Sequence, residues 1–498
     1  MNGLKLSLKT IKKMIVNNQI VFISLIVLWS ISLFSIFISN RLYIDDLGRS
    51  LHHYDNWTSA GRPVADLLSR LLFMGSHPFN VTPLTQIFAL VAISTAAFLI
   101  AYIFNTAVTW QSFLFILPMG ISPFFLENIS YSFDSLWMSL AILTACYPIF
   151  IIRLDISSVS RLLLGSISLF LSFCLYQPAV GVFLILTIFA IYVDYIDNKK
   201  IFKTIFQLII MLLIALEAYK LMAIFISFDH YAKEHKEILT SPEIYKSAIA
   251  NICSYLDILK TDWIWNPIGV LVSVIFIDFI ISNCCYILHI NSCKKYKKLI
   301  ITILIIPIAL IFSSGPQFLL KNPVFAPRTF LSLSVLVPAV LFAISKTILK
   351  YKIVIVNICI ALLCLQSALV ASTYGFILKN QKQYEDKILY HLTYDIDFLS
   401  KKFNFTSIYI KGTIGKTPVI GDTANVYPIL NKLNPVHLSD SWDWGVIQLK
   451  YICKSLKDID LISSINTQKM EEMLTNQYYT IYKSDNTIVI VFSEMLSK

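Results

Sequence analysis

Charge is scarce in this chain. Only 14% of its 498 residues are Asp, Glu, Lys or Arg and 56% are apolar, against roughly 25% charged and 45–50% apolar in soluble domains. A water-bathed core cannot hide that much apolar surface, which excludes an ordinary soluble enzyme and, equally, a disordered, collagen-like or disulfide-scaffold chain. No CxxC pair occurs among the nine cysteines, so zinc-ribbon and dithiol redox chemistry have no basis in the sequence. Cys146, Cys174, Cys284, Cys285, Cys359 and Cys364 lie in or at the ends of apolar runs as small packing residues. Cys253 and Cys453 lie in polar segments, where only the fold decides whether they meet. GxGxxG, Walker A, HExxH and GxSxG are missing, which removes nucleotide-driven and serine-hydrolase chemistry. Internal repeats, low-complexity tracts and long Gly/Pro linkers are missing too.

What the chain does have is long apolar runs. The first, 19–39, follows Lys5, Lys9, Lys12 and Lys13 and is too long, with no small-residue cleavage site, for a signal peptide. Further runs of roughly 17–25 residues begin near Pro83, Gln111, Ser135, Leu162, Pro178, Ile205, Pro267, Leu299, Thr329 and Ile353, giving about eleven expected spans. With the N-terminus inside, the inner loops carry Arg153 and Arg161, then Lys199, Lys200 and Lys203, then Lys294, Lys295, Lys297 and Lys298, then Lys346, Lys350 and Lys352. The net charge of +11 thereby reports membrane orientation and implies no nucleic-acid partner. An odd span count puts 40–82, 229–265, 315–328 and everything after about Tyr374 on the far side. The tail turns polar near Lys379, with a strand-like piece at 407–410 and an alternating pattern over 478–492 broken by Ser484-Asp485-Asn486, which predicts a hairpin in a small α/β domain. The expected layout is a polytopic α-helical membrane domain over 1–376, with its first outer loop at 40–82, followed by an extracytoplasmic α/β domain over 377–498.

Chemistry is concentrated in the first outer loop: Asp45-Asp46-Leu47-Gly48-Arg49, then Tyr54, Trp57 and Gly61-Arg62-Pro63. Neighbouring carboxylates raise one another's pKa, which suits one of them to accept a proton, while Arg49 and Arg62 suit a bidentate grip on an anion. The aspartates fit a helix N-cap ahead of Leu47 equally well. After Pro63, the spacing of Val64, Leu67, Leu68, Leu71 and Leu72 predicts an amphipathic helix along the membrane surface or packed on the bundle. Glu127, Asn128, Tyr131 and Asp134 form a second polar cluster for a sugar, or Asp134 caps the next helix. Gln177, in Tyr176-Gln177-Pro178, either contacts substrate or satisfies backbone freed by the proline. Glu217 and Lys220, i and i+3 in an apolar run, read first as a structural pair, with ion coupling as the alternative. Arg328 stands at the mouth of a span, to hold a lipid phosphate or anchor to headgroups.

These motifs, reinforced by Ser132-Phe133-Asp134 with Leu136, Tyr176-Gln177, Pro327-Arg328 and the polar tail, resemble the membrane glucosyltransferases that modify bacterial O-antigen, the serotype-conversion type often carried by phages. The resemblance implies a GT-C-type fold whose acidic motif lies in the first external loop. It also implies transfer of glucose from undecaprenyl-phosphate-glucose to O-antigen at the periplasmic face of the inner membrane, with a separate donor synthase and donor flippase as partners and membrane lipid as surroundings. The N-terminus would be cytoplasmic and the tail periplasmic.

A mechanism follows from the residues. A sugar hydroxyl is a poor nucleophile, so Asp46 or its neighbour Asp45 takes its proton, while Arg49, Arg62 and Arg328 stabilise the departing lipid phosphate. Trp57 or Tyr54 offers a face to a sugar ring, and Glu127, Asp134 and Gln177 complete the binding set. One displacement with inversion is expected, because a single base suffices. No cofactor is expected, with metal dependence open: Asp45 and Asp46 could bind a divalent cation, but the arginines make one unnecessary. Rival readings are a polytopic transporter or lipid-sugar flippase, which would place functional charge at mid-membrane, and an O-antigen polymerase.

Overall fold

The computed structural model describes residues 2–105, 108–240, 244–289, 294–345, 347, 352–456, 459–462 and 470–493. Among them, nine helices are long and apolar enough to cross a membrane: Gln19–Phe37, Leu84–Asn105, Ser135–Ile152, Ser158–Leu175, Gln177–Ile196, Phe202–Ala223, Pro267–His289, Pro327–Ile344 and Val354–Ser400. The run expected from Gln111 is a broken pair, Trp110–Ile121 and Pro123–Ser130, bent by 58°, which makes ten if it counts as one span. Pro118 and Pro123 explain the break, since neither has an amide to donate. The run expected from Leu299 is helix Lys295–Phe312, whose first turn holds Lys295, Lys297 and Lys298, three charges that set it apart from the nine. By length and composition, nine or ten of the roughly eleven expected spans are found among the described residues. Lys346 and Lys350 of the basic pattern lie outside the described residues.

The surface of the bundle shows what surrounds it. Helix Gln19–Phe37 buries Val21, Leu25, Trp29, Leu33 and Ile36, a stripe spaced by three and four, and turns Ile20, Ile23, Ile31 and Phe34 outward. Each such side chain left in water forgoes about 1.5–3 kcal/mol of burial, whereas hydrocarbon solvates it. The chain is a membrane protein. Helix Leu84–Asn105 packs on Ser135–Ile152, which packs on Ser158–Leu175, and the first span packs along the last. That last pair is so close that a Cβ on Gly375 would lie 2.3 Å from the Ser35 carbonyl carbon.

The two ends of the bundle differ. At one, Arg153 donates to Asp194 at 2.6 Å, Lys199 reaches the same carboxylate at 2.9 Å, and Lys298 donates to the Ile196 carbonyl at 2.8 Å. At the other end of helix Ser135–Ile152, the segments around Asp46, Arg62, Asp134, Gln177 and Arg328 meet. There helix Pro63–Phe73 buries Ala65, Asp66 and Ser69 and turns Leu67, Leu71 and Leu72 outward, an inversion that suits a helix whose open face meets lipid.

Helix Lys352–Ser400 has 49 residues and a length of about 73 Å, more than twice the roughly 30 Å of bilayer hydrocarbon. It runs through the expected 376/377 boundary without a break. Its distal face, Ile388, Leu389, Leu392, Ile396 and Leu399, forms a second core with a five-stranded sheet. The strands are β1 (Ser407–Lys411), β2 (Asp460–Leu461), β3 (Glu471–Thr475), β4 (Tyr479–Ser484) and β5 (Thr487–Phe492). Their order is β2-β1-β5-β4-β3, with β1 parallel to both neighbours and β3-β4-β5 antiparallel. The expected hairpin is β4–β5, closed by Asp485-Asn486 with Asp485 at φ +51°. The tail is not wholly separate from the bundle: Ile420, Ala424, Ile429, Leu430 and Leu433 fold back into the membrane core.

Candidate functional site

Two loops build the site by gripping each other. Asp46 opens the short helix Asp46–His52 and is fully buried. Its Oδ2 accepts the amides of Tyr43 at 3.2 Å and Ser132 at 2.7 Å, and its Oδ1 accepts that of Phe133 at 3.3 Å. From the other side, Asp134 accepts the Trp57 indole N–H at 2.7 Å and Arg62 Nη1 at 3.2 Å, with Arg49 Nε 3.6 Å from its second oxygen. One carboxylate from each loop thus fixes the other loop, and neither helix-capping aspartate, Asp45 or Asp134, makes a side-chain cap bond.

Asp45 differs from its neighbour. Its side chain is open to solvent and, among the described residues, makes no hydrogen bond or ion pair. Protein nevertheless surrounds it closely enough that desolvation raises its pKa; Arg49 opposes that rise, Asp134 adds to it, and Arg328 and Arg62 also oppose it. Asp45 is thus open to water within a cluster of charged side chains. Burial pushes the Asp46 carboxyl up to about 8, assisted by Asp134 and opposed by the amides. With no path to solvent, that proton has no substrate to serve.

The arginines separate in the same way. Arg49 is spent: its guanidinium donates to the carbonyls of Asp55 and Tyr54, lies 3.9 Å from the Trp57 ring centroid, and leaves 7% of its side chain exposed. Arg62, stacked at 4.7 Å over Tyr176, and Arg328 each keep 22% exposed. Arg328 donates its Nη1 to Glu127 Oε1 at 2.6 Å and its backbone amide to Oε2 at 2.8 Å. Its carbonyl accepts from Tyr176 Oη at 3.1 Å and Asn128 Nδ2 at 3.2 Å, so the whole residue is braced.

Glycine shapes both motifs of the first loop. Gly61 sits at φ +77°, a left-handed conformation that L side chains avoid. Its carbonyl accepts Gln177 Nε2 at 2.8 Å and Tyr219 Oη at 2.9 Å, so Gln177 holds the turn that aims Arg62. Gly48 lets the Tyr54 hydroxyl approach to 2.7 Å of where a Cβ would stand.

Of the expected site residues, Asp45, Tyr54, Arg62 and Arg328 reach solvent around this cluster. Asp46, Arg49, Glu127, Asp134 and Gln177 serve as its frame. Trp57 is fully buried, with its indole N–H on Asp134 and its ring between Arg49 and Trp137, so it offers no face to a sugar. Glu217 and Lys220 pair at 2.8 Å on the outside of the bundle, both well exposed, as the structural reading expects. Cys253 and Cys453 are free and unpaired. Among the described residues no group of three or more His, Cys, Asp or Glu side chains is placed to hold a metal ion. The sequence reading missed Tyr176 as the support of Arg62. It also missed the buried network in which Glu385 accepts Arg41 Nη2 at 3.0 Å, Gln381 Nε2 at 3.0 Å and the His437 amide at 3.2 Å, joining the tail to the start of the first loop.

The architecture is that of a polytopic helical membrane protein with a framed, partly open cluster of carboxylate and guanidinium groups at one end. The sequence model of glucosyl transferase GtrII matches residues 34–339, and the chain belongs to that glucosyltransferase family. A protein of Salmonella phage P22, described as an uncharacterized 55.3 kDa protein in the gtrB 5' region, is 24% identical over 493 residues, covering 96% of this chain and 99% of its own length. No solved structure matches.

Proposed function

We propose that this chain is a GT-C-type enzyme that moves glucose from undecaprenyl-phosphate-glucose to O-antigen at the periplasmic face of the bacterial inner membrane, with the N-terminus cytoplasmic and the tail periplasmic. Asp45 is the base. As the acceptor hydroxyl attacks the anomeric carbon, its proton passes to the Asp45 carboxylate and the bond from that carbon to the phosphate oxygen breaks, with inversion. Arg62 and Arg328 receive the charge developing on the lipid phosphate. Asp46, Asp134, Glu127, Arg49 and Gln177 hold these groups in place, and Tyr54 borders the sugar. A donor synthase and a donor flippase supply the lipid-linked sugar.

The observation that carries this reading is the state of Asp45, a carboxylate without a partner among the described residues, open to solvent, with a raised pKa beside two partly exposed guanidiniums. The charges a transport reading would use, Glu217 and Lys220, instead neutralise each other on the lipid side. Linkage and mass analysis of O-antigen from cells with and without the chain tests the proposal. Addition of single hexoses is expected. Lengthened chains with unmodified repeats, or no change in the polysaccharide when lipid-linked glucose is supplied, would overturn it.

A further inference from the structure

Beside the charged cluster, outside the set assigned above, stands an aromatic platform from two distant parts of the chain. Trp442 and Trp444 stack with centroids 5.7 Å apart and planes at 20°, and Tyr231 packs edge-on against Trp442 at 6.0 Å. Trp442 is 51% exposed and Tyr231 39% exposed. These are large apolar faces on extramembrane segments.

Each ring is held in place. Trp444 begins helix Trp444–Ile452, which packs on helix Asp46–His52, and its ring meets that of the buried His437 at 6.0 Å. Tyr231 lies in helix His230–His235, capped by Asp229, whose side chain accepts the Ala232 amide at 2.7 Å. The Asp229 amide in turn donates to the Ser59 carbonyl at 3.1 Å, two residues before Gly61. The platform also lies near the site: Tyr231 is in the neighbourhood of Arg328 and Tyr176, and Asp443, between the two tryptophans, is near enough to Tyr54 to act on it.

We propose that Trp442, Trp444 and Tyr231 bind the acceptor saccharide, stacking one or two hexose rings and feeding the next hydroxyl to Asp45; this rests on the glycosyl-transfer reading. A pyranose presents C–H faces to an aromatic plane and hydroxyls at its edge. Asp443, exposed and between the two tryptophans in sequence, offers a carboxylate acceptor for those hydroxyls. Bilayer headgroups are the other chemistry exposed tryptophans meet. Asp443 and the exposed Asp440 disfavour anionic lipid on this face, and rings stacked on each other are not splayed into an interface.

The test uses the full-length chain in detergent or vesicles, synthetic polyprenyl-phosphate-glucose, and lipid-free O-polysaccharide released by mild acid from the strain whose lipopolysaccharide the chain modifies. Trp442 is half open, so Trp442→Ala leaves little packing to lose. The expected result is a rise of roughly ten-fold in both the Kd for O-polysaccharide and its KM, the order a lost aromatic face predicts, with recovery in Trp442→Tyr. Trp110→Ala, an exposed tryptophan in helix Trp110–Ile116 remote from the platform, changes neither. Unchanged Kd and KM in Trp442→Ala overturn the proposal. So does a variant whose only change is weaker quenching of its tryptophan emission by brominated phosphatidylglycerol vesicles, which would assign the rings to the bilayer. If wild-type protein binds O-polysaccharide through Trp442 yet transfers no sugar, the glycosyl-transfer reading fails and the saccharide platform stands.

Discussion

Adjacent aspartates with opposite surroundings make a test that separates chemistry from framework. Asp45→Asn removes a carboxylate that bonds to nothing among the described residues, so its thermal transition should match wild type while transfer is abolished. Asp46→Asn should do the reverse. A neutral amide mimics the protonated acid that burial favours, and an amide oxygen at the Oδ2 position keeps the bonds from Tyr43 at 3.2 Å and Ser132 at 2.7 Å. The NH2 group then faces the Phe133 amide, whose 3.3 Å bond is the weakest of the three, a loss of about 1 kcal/mol. Asp46→Ala strands all three donors away from water at about 1–3 kcal/mol each, about 3–9 kcal/mol together, against a typical total stability of about 5–15 kcal/mol. The assay is the midpoint of thermal aggregation in detergent, read beside the transfer rate per folded molecule. The expected order is Asp45→Asn stable and inactive, Asp46→Asn slightly less stable and active, and Asp46→Ala largely unfolded. An inactive Asp46→Asn with wild-type stability, together with an active Asp45→Asn, would refute the assignment.

Proton linkage supplies two further tests. The base must be ionised, and the Asp45 pKa is raised, so the acid limb of kcat/KM against pH should lie above the ordinary carboxylate value of about 3.9. Arg62→Gln removes a charge that lowers this pKa and should move the limb to higher pH, whatever it does to the rate; a limb that stays put dissociates Arg62 from Asp45. Asp46, whose folded pKa of about 8 exceeds its unfolded value, contributes stability that is complete below about pH 4 and is lost as pH rises through about 8. The aggregation midpoint should accordingly fall between pH 6 and 9 in the wild type, with a flatter course in Asp46→Asn. Arg41→Ala leaves the buried Glu385 without its cation, a loss of about 3–5 kcal/mol. Limited proteolysis should then release the tail at lower protease doses, and an unchanged digestion course would show that the pair does not hold it.

The spans were legible because lipid solvation is written residue by residue in hydropathy, and the hairpin because Asp485-Asn486 sits between two alternating runs. The site was legible as a neighbourhood and not as a division of labour. Asp45 and Asp46 differ in their surroundings because the loop at 131–134 arrives on one side of them, a contact 86 residues away in sequence. Trp57 reads as a sugar platform until Asp134, 77 residues on, takes its N–H. Arg41 and Glu385 lie 344 residues apart, and pairing over that distance leaves no periodic trace. Trp442-Asp443-Trp444 carried a local signal, an acid between two aromatics in a polar tail, but its place beside Tyr231 depends on the tail folding back onto the membrane core. The length of helix Lys352–Ser400 was obscured because its outer half exchanges lipid contacts for the sheet and so loses apolarity without ending.

The frame also sets a charge balance that matches the proposed reaction. Arg49, Arg62 and Arg328 bring three positive charges, and Asp134 and Glu127, ion-paired to them, bring two negative ones. Below about pH 8 the buried Asp46 adds none. The frame is therefore positive by one unit, which balances the ionised Asp45 before the donor enters. In the proposed reaction the phosphate approaches a second negative charge as the sugar leaves, and in the same step Asp45 takes up the acceptor's proton and loses its own charge. The change at the phosphate and the change at the base cancel within one cluster, so the arginines need not move to accommodate the product. Were Asp46 ionised as well, the cluster would already be negative before the donor's phosphate arrived. The burial of Asp46 thus favours the proposed use of the guanidiniums on the phosphate.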